Sequence, residues 1–162
     1  MALHECPGQT DEWYTPAHVF EALDCYFDVD VASPGRKVVP WIPTRRHITA
    51  HSLEMPWSGF VWMNPPFGGR NALLPWLRRF VEHGYGICLV PDRTSAPWWQ
   101  TFAPQMDLIL FVAPKLKFIG ADGRPGTSPA QGTCLMAIGS MGEKALRSAA
   151  ARGLGVLMQE AA

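Results

Sequence analysis

Four consecutive residues, Asn64-Pro65-Pro66-Phe67, carry the groups in this chain best suited to act on a small planar substrate. Asn64 brings a side-chain amide, Pro65 a backbone carbonyl and Phe67 a flat apolar face. Proline fixes its own φ, lacks an N–H and pushes the residue before it into extended backbone. Asn64 and Pro65 each precede a proline, so the spacing predicts a stiff loop with both acceptors held in fixed directions. Two acceptors beside an aromatic platform suit a planar group that carries an NH2. Pro-Pro is common in ordinary turns, so the flanks decide. Phe60-Val61-Trp62-Met63 reads as a buried strand, Gly68-Gly69 permits a sharp turn, and a helix-like segment follows. A motif at the end of a strand needs that setting.

A second group of chemically useful residues lies upstream. Thr15-Pro16 reads as a helix start, with Thr15 as N-cap and Pro16 at the first helical position. The free N–H groups of a helix N-terminus favour an anion such as a carboxylate. Phe27 to Ala32 reads as the first central strand. Asp28 and Asp30 are two apart and share a face, and buried carboxylates are costly unless paired or placed near a strand end. At the carboxyl end of a central strand, Asp30 would face the crevice in which open α/β sheets bind ligands.

The rest of the chain supplies elements to position these groups. Ala72 to His83 is predicted as an amphipathic helix stopped by Gly84, Tyr85 to Val90 as a strand, and Trp98, Trp99 and Phe102 as core residues of a packed helix. Asp107 to Val112 and Thr133 to Ile138 are predicted strands, Lys115 to Ile119 a hairpin arm, Glu143 to Ala151 a helix, and Leu154 to Met158 a last strand. Val38, Val39, Trp41 and Ile42 are candidates for a short second strand within a basic, proline-rich connection. Strands alternating with helices predict an α/β three-layer sandwich with a mostly parallel sheet. A length of 162 residues fits one domain over 1–162, with a loose N-terminal arm over about 1–12.

Composition narrows the class. The 48% apolar and 17% charged fractions are those of a compact globular chain. No apolar run approaches the ~20 residues needed to span a bilayer, and no secretory signal is evident. Cys6, Cys25, Cys88 and Cys134 form no Cys-x-x-Cys pair, which predicts free thiols in a reducing cytosol and neither zinc nor disulfides. A net charge of zero conceals segregation. Residues 1–32 hold seven acids and no Lys or Arg, which leaves all fourteen bases and seven acids to residues 33–162. That split suits a cationic ligand near the N-terminal segment and phosphate near the remainder.

Taken in order, four stretches carry a resemblance: Asp11-Glu12-Trp13-Tyr14-Thr15-Pro16, Asp28-Val29-Asp30-Val31-Ala32-Ser33, Trp57, and Trp62-Met63-Asn64-Pro65-Pro66-Phe67. Together they resemble the small phage-type DNA N6-adenine methyltransferases that use S-adenosylmethionine, over roughly residues 10 to 140. The resemblance implies a compact Rossmann-like methyltransferase fold and methylation of the N6 amine of adenine in DNA, with short or relaxed sequence specificity. It implies catalysis by Asn64, Pro65, Pro66 and Phe67. It implies a cofactor site at Trp13, Tyr14, Thr15, Pro16, Asp28, Asp30, Ser33, Ser52 and Asn64, with Asp30 at the ribose or the sulfonium. Arg36, Arg45, Arg46, Arg70, Arg93, Lys117 and Arg124 are the candidate DNA contacts, and a homodimer would extend that surface. The implied setting is the cytoplasm of a bacterial or phage-infected cell, with no membrane and no metal.

Two departures stand out. The glycine-rich turn after the first strand is reduced to Ser33-Pro34-Gly35, and His51-Ser52-Leu53 stands where the family often has an acid for the cofactor adenine. The same four-residue motif also serves enzymes acting on guanine in RNA, on cytosine N4 or on protein glutamine. A catalytically silent DNA-binding module of the same fold is a further alternative. The two early motifs favour adenine in DNA.

Overall fold

The structure is a computed structural model describing residues 13–69, 71–127, 129 and 131–158. The expected arm over 1–12 and the candidate DNA contact Arg70 lie outside the described residues. In chain order the elements are β1 (Trp13–Tyr14), α1 (Ala17–Leu23), β2 (Phe27–Asp30), β3 (Thr44–His47), β4 (Val61–Met63), α2 (Leu73–His83), β5 (Gly86–Pro91), α3 (Pro97–Phe102), β6 (Leu108–Val112), β7 (Ile119–Gly120), β8 (Thr133–Ile138), α4 (Ser140–Ala151) and β9 (Gly155–Met158).

Seven strands form one sheet in the order β3-β2-β4-β5-β8-β6-β9, and β1 pairs with β7 in a separate two-stranded ladder. The neighbours β3, β2, β4 and β5 are parallel, whereas β8 is antiparallel to both β5 and β6, and β9 is antiparallel to β6. Five strands therefore point one way and two point back, so the sheet is mostly parallel in strand direction, as expected, but mixed on the β8 and β9 side. The cause lies in the connection. The chain leaves β6 for a long excursion over 113–132 and re-enters at the same end of the sheet, between β5 and β6, which fixes β8 in the opposite direction.

Side chains alternate across the strands and so feed two cores. Ile87 and Leu89 of β5 join Val19, Phe20 and Leu23 of α1 and Leu146 and Ala149 of α4. Cys88 and Val90 join Leu77 and Phe80 of α2 and Trp99 and Phe102 of α3. Buried Leu73, Leu77 and Phe80 recur at helical spacing along α2, and the helix ends where Gly84 adopts φ 73° and donates its N–H to the Phe80 carbonyl. Cys88 and Cys134 are buried free thiols whose pKa values burial pushes up.

Two local expectations are corrected. Residues 38–42 form successive turns and not a strand: Val38 and Val39 both donate to the Gly35 carbonyl, and Ile42 donates to the Val39 carbonyl. Pro34, Pro40 and Pro43 punctuate this segment and lack ladder donors, so the strand forms beyond them at Thr44. Nor is Thr15 the cap of α1. Pro16 holds the cap position and no side chain caps the helix. Thr15 belongs to the exit from β1 and is buried, and its carbonyl accepts the Trp41 indole N–H at 2.9 Å.

Candidate active site

The parallel strands β2 and β4 end side by side, and a cavity of about 310 Å³ opens where they do. Its wall brings together Trp13, Tyr14, Thr15, Asp30, Ser33 and the whole of Asn64-Pro65-Pro66-Phe67. These residues come from three distant stretches of chain, and the sequence nominated every one of them. It did not nominate Trp62 or Phe118, which also line the cavity. Trp62 was within reach of strand logic, because it lies two before Asn64 and so shares its face. Phe118 carries no local signal, since only the tertiary fold brings it to the motif.

Asn64 is half-buried, and its Nδ2 donates to the Trp13 carbonyl at 3.0 Å. A carbonyl can only accept, so this bond fixes which way the amide faces. The NH2 is spent on Trp13, and Oδ1 is left as the acceptor. Phe67 stands edge-on to Phe118, with ring centroids 6.4 Å apart and planes at 89°.

Asp30 is 1% exposed. The Ala32 N–H reaches its Oδ1 at 3.3 Å, and His47 Nδ1 lies 3.9 Å from its Oδ2. Burial, only partly offset by hydrogen bonds from the Ala32 backbone and the Ser33 side chain, pushes its carboxyl up to about 7. His47 shifts the other way: desolvation and the Arg36 charge lower its pKa. Near neutrality the histidine is therefore uncharged, and the 3.9 Å approach is not an ion pair. His47 Nδ1 instead meets the Ser33 hydroxyl at 2.7 Å, and that hydroxyl accepts the Gly35 N–H at 3.0 Å. The turn after β2 thus closes through the Ser33 side chain.

Pro16, Asp28 and Ser52 do not line this cavity. Asp28 accepts the Phe60 N–H at 2.8 Å and so ties β2 to the start of β4. Asp28→Ala is expected to cost about 1–3 kcal/mol by stranding that donor, read as a lower Tm with cofactor affinity retained. Ser52 lines an adjoining cavity of about 420 Å³, which shares Ala32, Ser33, Thr49 and Pro66 with the first. Both its carbonyl and its hydroxyl lie within hydrogen-bond reach of the Trp57 indole N–H, at 3.0 and 3.1 Å. Of the acids among the described residues, Asp30 alone reaches the main cavity.

The cationic candidates divide. Arg36 is committed to its own connection, donating to the Thr44 and Arg45 carbonyls at 2.9 and 3.0 Å. Arg45 and Arg46 are exposed on β3, an edge strand of the sheet. Arg93 is exposed on the loop after β5 and donates to Gln131 Oε1 at 2.7 Å. Lys117 and Arg124 are exposed on the excursion that carries Phe118. Among the described residues, no group of His, Cys, Asp and Glu is arranged to hold a metal ion, and no helix is long and apolar enough to cross a membrane.

The family model for DNA N-6-adenine-methyltransferase (Dam) matches residues 4–145. The chain belongs to this family. The matched span runs from before β1 into α4 and takes in every cavity residue named above. No curated protein and no solved structure matches the chain. Dam-family membership implies methyltransferase activity on the N6 amine of adenine in DNA.

Proposed function

We propose that this chain is a single S-adenosylmethionine-dependent methyltransferase domain, built as a three-layer Rossmann-like sandwich. In this reading it methylates the N6 amine of adenine in DNA with short or relaxed sequence specificity, in the cytoplasm of a bacterial or phage-infected cell. The observation that carries the reading is the Asn64 amide, whose NH2 is taken by the Trp13 carbonyl and whose oxygen is left beside Pro65 and Phe67.

The cavity wall fits the cofactor. Asp30 is a buried carboxylate without a charged partner, which a sulfonium or ammonium group would supply. Thr15 Oγ1 and Trp62 Nε1 are buried without a hydrogen-bond partner in the same wall, and such atoms call for an explanation. The two adjoining cavities give an elongated site, with Asp30 towards the reacting end and Ile48, Ser52 and Trp76 around the other. When bound, S-adenosylmethionine supplies a methyl group already activated by its sulfonium.

The protein's task is to make adenine's amine nucleophilic, because its lone pair is delocalised into the ring. Asn64 Oδ1 and the Pro65 carbonyl accept its two N–H bonds. That draws the nitrogen towards tetrahedral geometry and turns the lone pair out of the ring. The stabilisation grows as the C–N bond forms, so it lowers the barrier. A proline after each acceptor residue holds it in place before substrate arrives. The methylated amine is strongly acidic and gives up its extra proton to solvent.

Inside a duplex the amine cannot reach this site, so the base must leave the stack. Phe67, braced by Phe118, offers it a face. Phe67→Ala is expected to cost about 1–3 kcal/mol, or roughly 5- to 150-fold in kcat/KM for DNA, measured in steady state with duplex substrate. Methylation of mixed-sequence DNA followed by mapping of every modified base tests the specificity. Modified adenines in a short or degenerate context support the reading, and modification confined to one long site contradicts it.

A further inference from the structure

Asn64 and Phe67 are both reached from one hairpin that lies far from them in sequence. After β7 the chain turns tightly: Gly123 N–H donates to the Gly120 carbonyl at 2.9 Å, Gly120 N–H to the Arg124 carbonyl at 2.9 Å, and Gly126 N–H to the Phe118 carbonyl at 2.7 Å. Ile119 and Pro125 bridge across the turn. β7 pairs with β1 so that Gly120 faces Trp13 and Ile119 faces Tyr14. The Trp13 indole rests on this hairpin. A Cβ on Gly126 would stand 2.7 Å from its Cζ3 and 3.2 Å from its Cη2. The Trp13 carbonyl receives Asn64 Nδ2, and Phe118, at the base of the hairpin, meets the edge of Phe67.

The Asn64 amide has two orientations that differ by a half-turn. One presents its oxygen to the substrate amine. The other presents NH2 to NH2, donor against donor, and cannot assist transfer. The Trp13 carbonyl breaks that symmetry. It lies on a strand of two residues whose ladder partner is β7, so its position follows the hairpin. Displacing a group in a reacting constellation by about 1 Å can cost on the order of 10²-fold in rate.

We propose that the Phe118–Gly126 hairpin is the positioning element of the transfer site: through the Trp13 carbonyl it selects the reactive orientation of the Asn64 amide, and through Phe118 it braces Phe67. The inference rests on the reading of Asn64 and Phe67 given under Proposed function. It makes Gly126 a positioning residue, although Gly126 lines no part of the cavity. The need at Gly126 is for space. Its φ lies outside the left-handed region, so the backbone accepts alanine; the new Cβ strikes the indole and comes within 3.3 Å of the Phe118 carbonyl, at the base of the same hairpin.

The test compares the full chain with Gly126→Ala, and repeats the substitution in a Trp13→Phe background, whose ring lacks the struck indole atoms. In the wild-type background, Gly126→Ala is expected to lower kcat by about tenfold or more, with KM for S-adenosylmethionine moving less than about threefold. With Phe at 13, the same substitution should change kcat by less than about threefold, a coupling that a general loss of stability would not produce. A loss of equal size in both backgrounds, or no loss in the first, overturns the inference. A second readout does not depend on activity. The side-chain 15NH2 signal of Asn64, assigned by its absence in Asn64→Ala, should exchange slowly with solvent in the wild type and rapidly in Gly126→Ala. If exchange is equally slow in both, the hairpin does not hold the amide. If the wild type fails to methylate adenine, the functional reading falls, and this exchange comparison still decides the positioning role.

Discussion

Asn64→Ala is expected to lower methyl transfer by about 10²- to 10³-fold, with the loss in kcat and with cofactor affinity largely kept. In the proposed mechanism the residue contributes one of two acceptors for the reacting amine, a contribution small in the ground state and large as the bond forms. Alanine removes the acceptor and also frees the Trp13 carbonyl, which Asn64 Nδ2 otherwise satisfies at 3.0 Å. Asn64→Asp separates the two effects. It keeps an acceptor for the substrate but sets a carboxylate oxygen against the Trp13 carbonyl, so its activity should lie between those of wild type and Asn64→Ala. Single-turnover rates at saturating cofactor and DNA would read the chemical step directly. An alanine variant with a wild-type single-turnover rate would remove Asn64 from the mechanism.

The second large effect expected from the proposed cofactor site is a pH dependence of binding set by Asp30. Burial pushes its carboxyl up to about 7, and His47, whose Nδ1 lies 3.9 Å away, is pushed towards its neutral form. In the free protein, Asp30 is therefore largely protonated below pH 7. A cationic ligand prefers the ionised form, so binding should expel a proton below that pH. Affinity for S-adenosylmethionine is expected to rise by up to about tenfold per pH unit as pH climbs towards 7, and to level off above it. Asp30→Asn should weaken binding at pH 8 and flatten the profile. The sign for folding is unusual for a carboxylate. Between about 4 and 7 the folded chain holds a proton that the unfolded chain has released. The contribution of this group to stability therefore falls as pH rises through that window. Cofactor added at pH 8 should consequently raise Tm more than cofactor added at pH 5.5. Titration calorimetry across this range, in buffers of different ionisation enthalpy, measures affinity and proton release together. A flat wild-type profile would detach Asp30 from the cofactor.

The parts of the site that were legible in the sequence are those whose physics is local. Two prolines stiffen the segment they occupy, and a strand before them aims it, so Asn64 to Phe67 stand together in the cavity wall as expected. Periodicity sufficed for α2, β5, β6 and β8, where one face or both are buried. Thr15 and Asp28 show where local reading ran out. A Thr-Pro pair has cap chemistry, but here the threonine is drawn into the cavity wall and the helix starts without it. Asp28 and Asp30 look equivalent two residues apart, yet the first meets the backbone of β4 and only the second reaches the cavity. The pairing of Ser33 with His47, the clasp of β1 by β7 and the brace of Phe67 by Phe118 depend on contacts across many residues. No single segment encodes them.

The most direct measurement of the central claim is transfer of a labelled methyl group from S-adenosylmethionine to unmethylated DNA by wild type and Asn64→Ala in parallel, with digestion to nucleosides to identify the product. Label recovered as N6-methyladenine from the wild type, and lost or nearly lost from the variant, is the predicted result. Label on cytosine, label absent from wild-type reactions, or equal label from both proteins would contradict an Asn64-centred adenine methyltransferase.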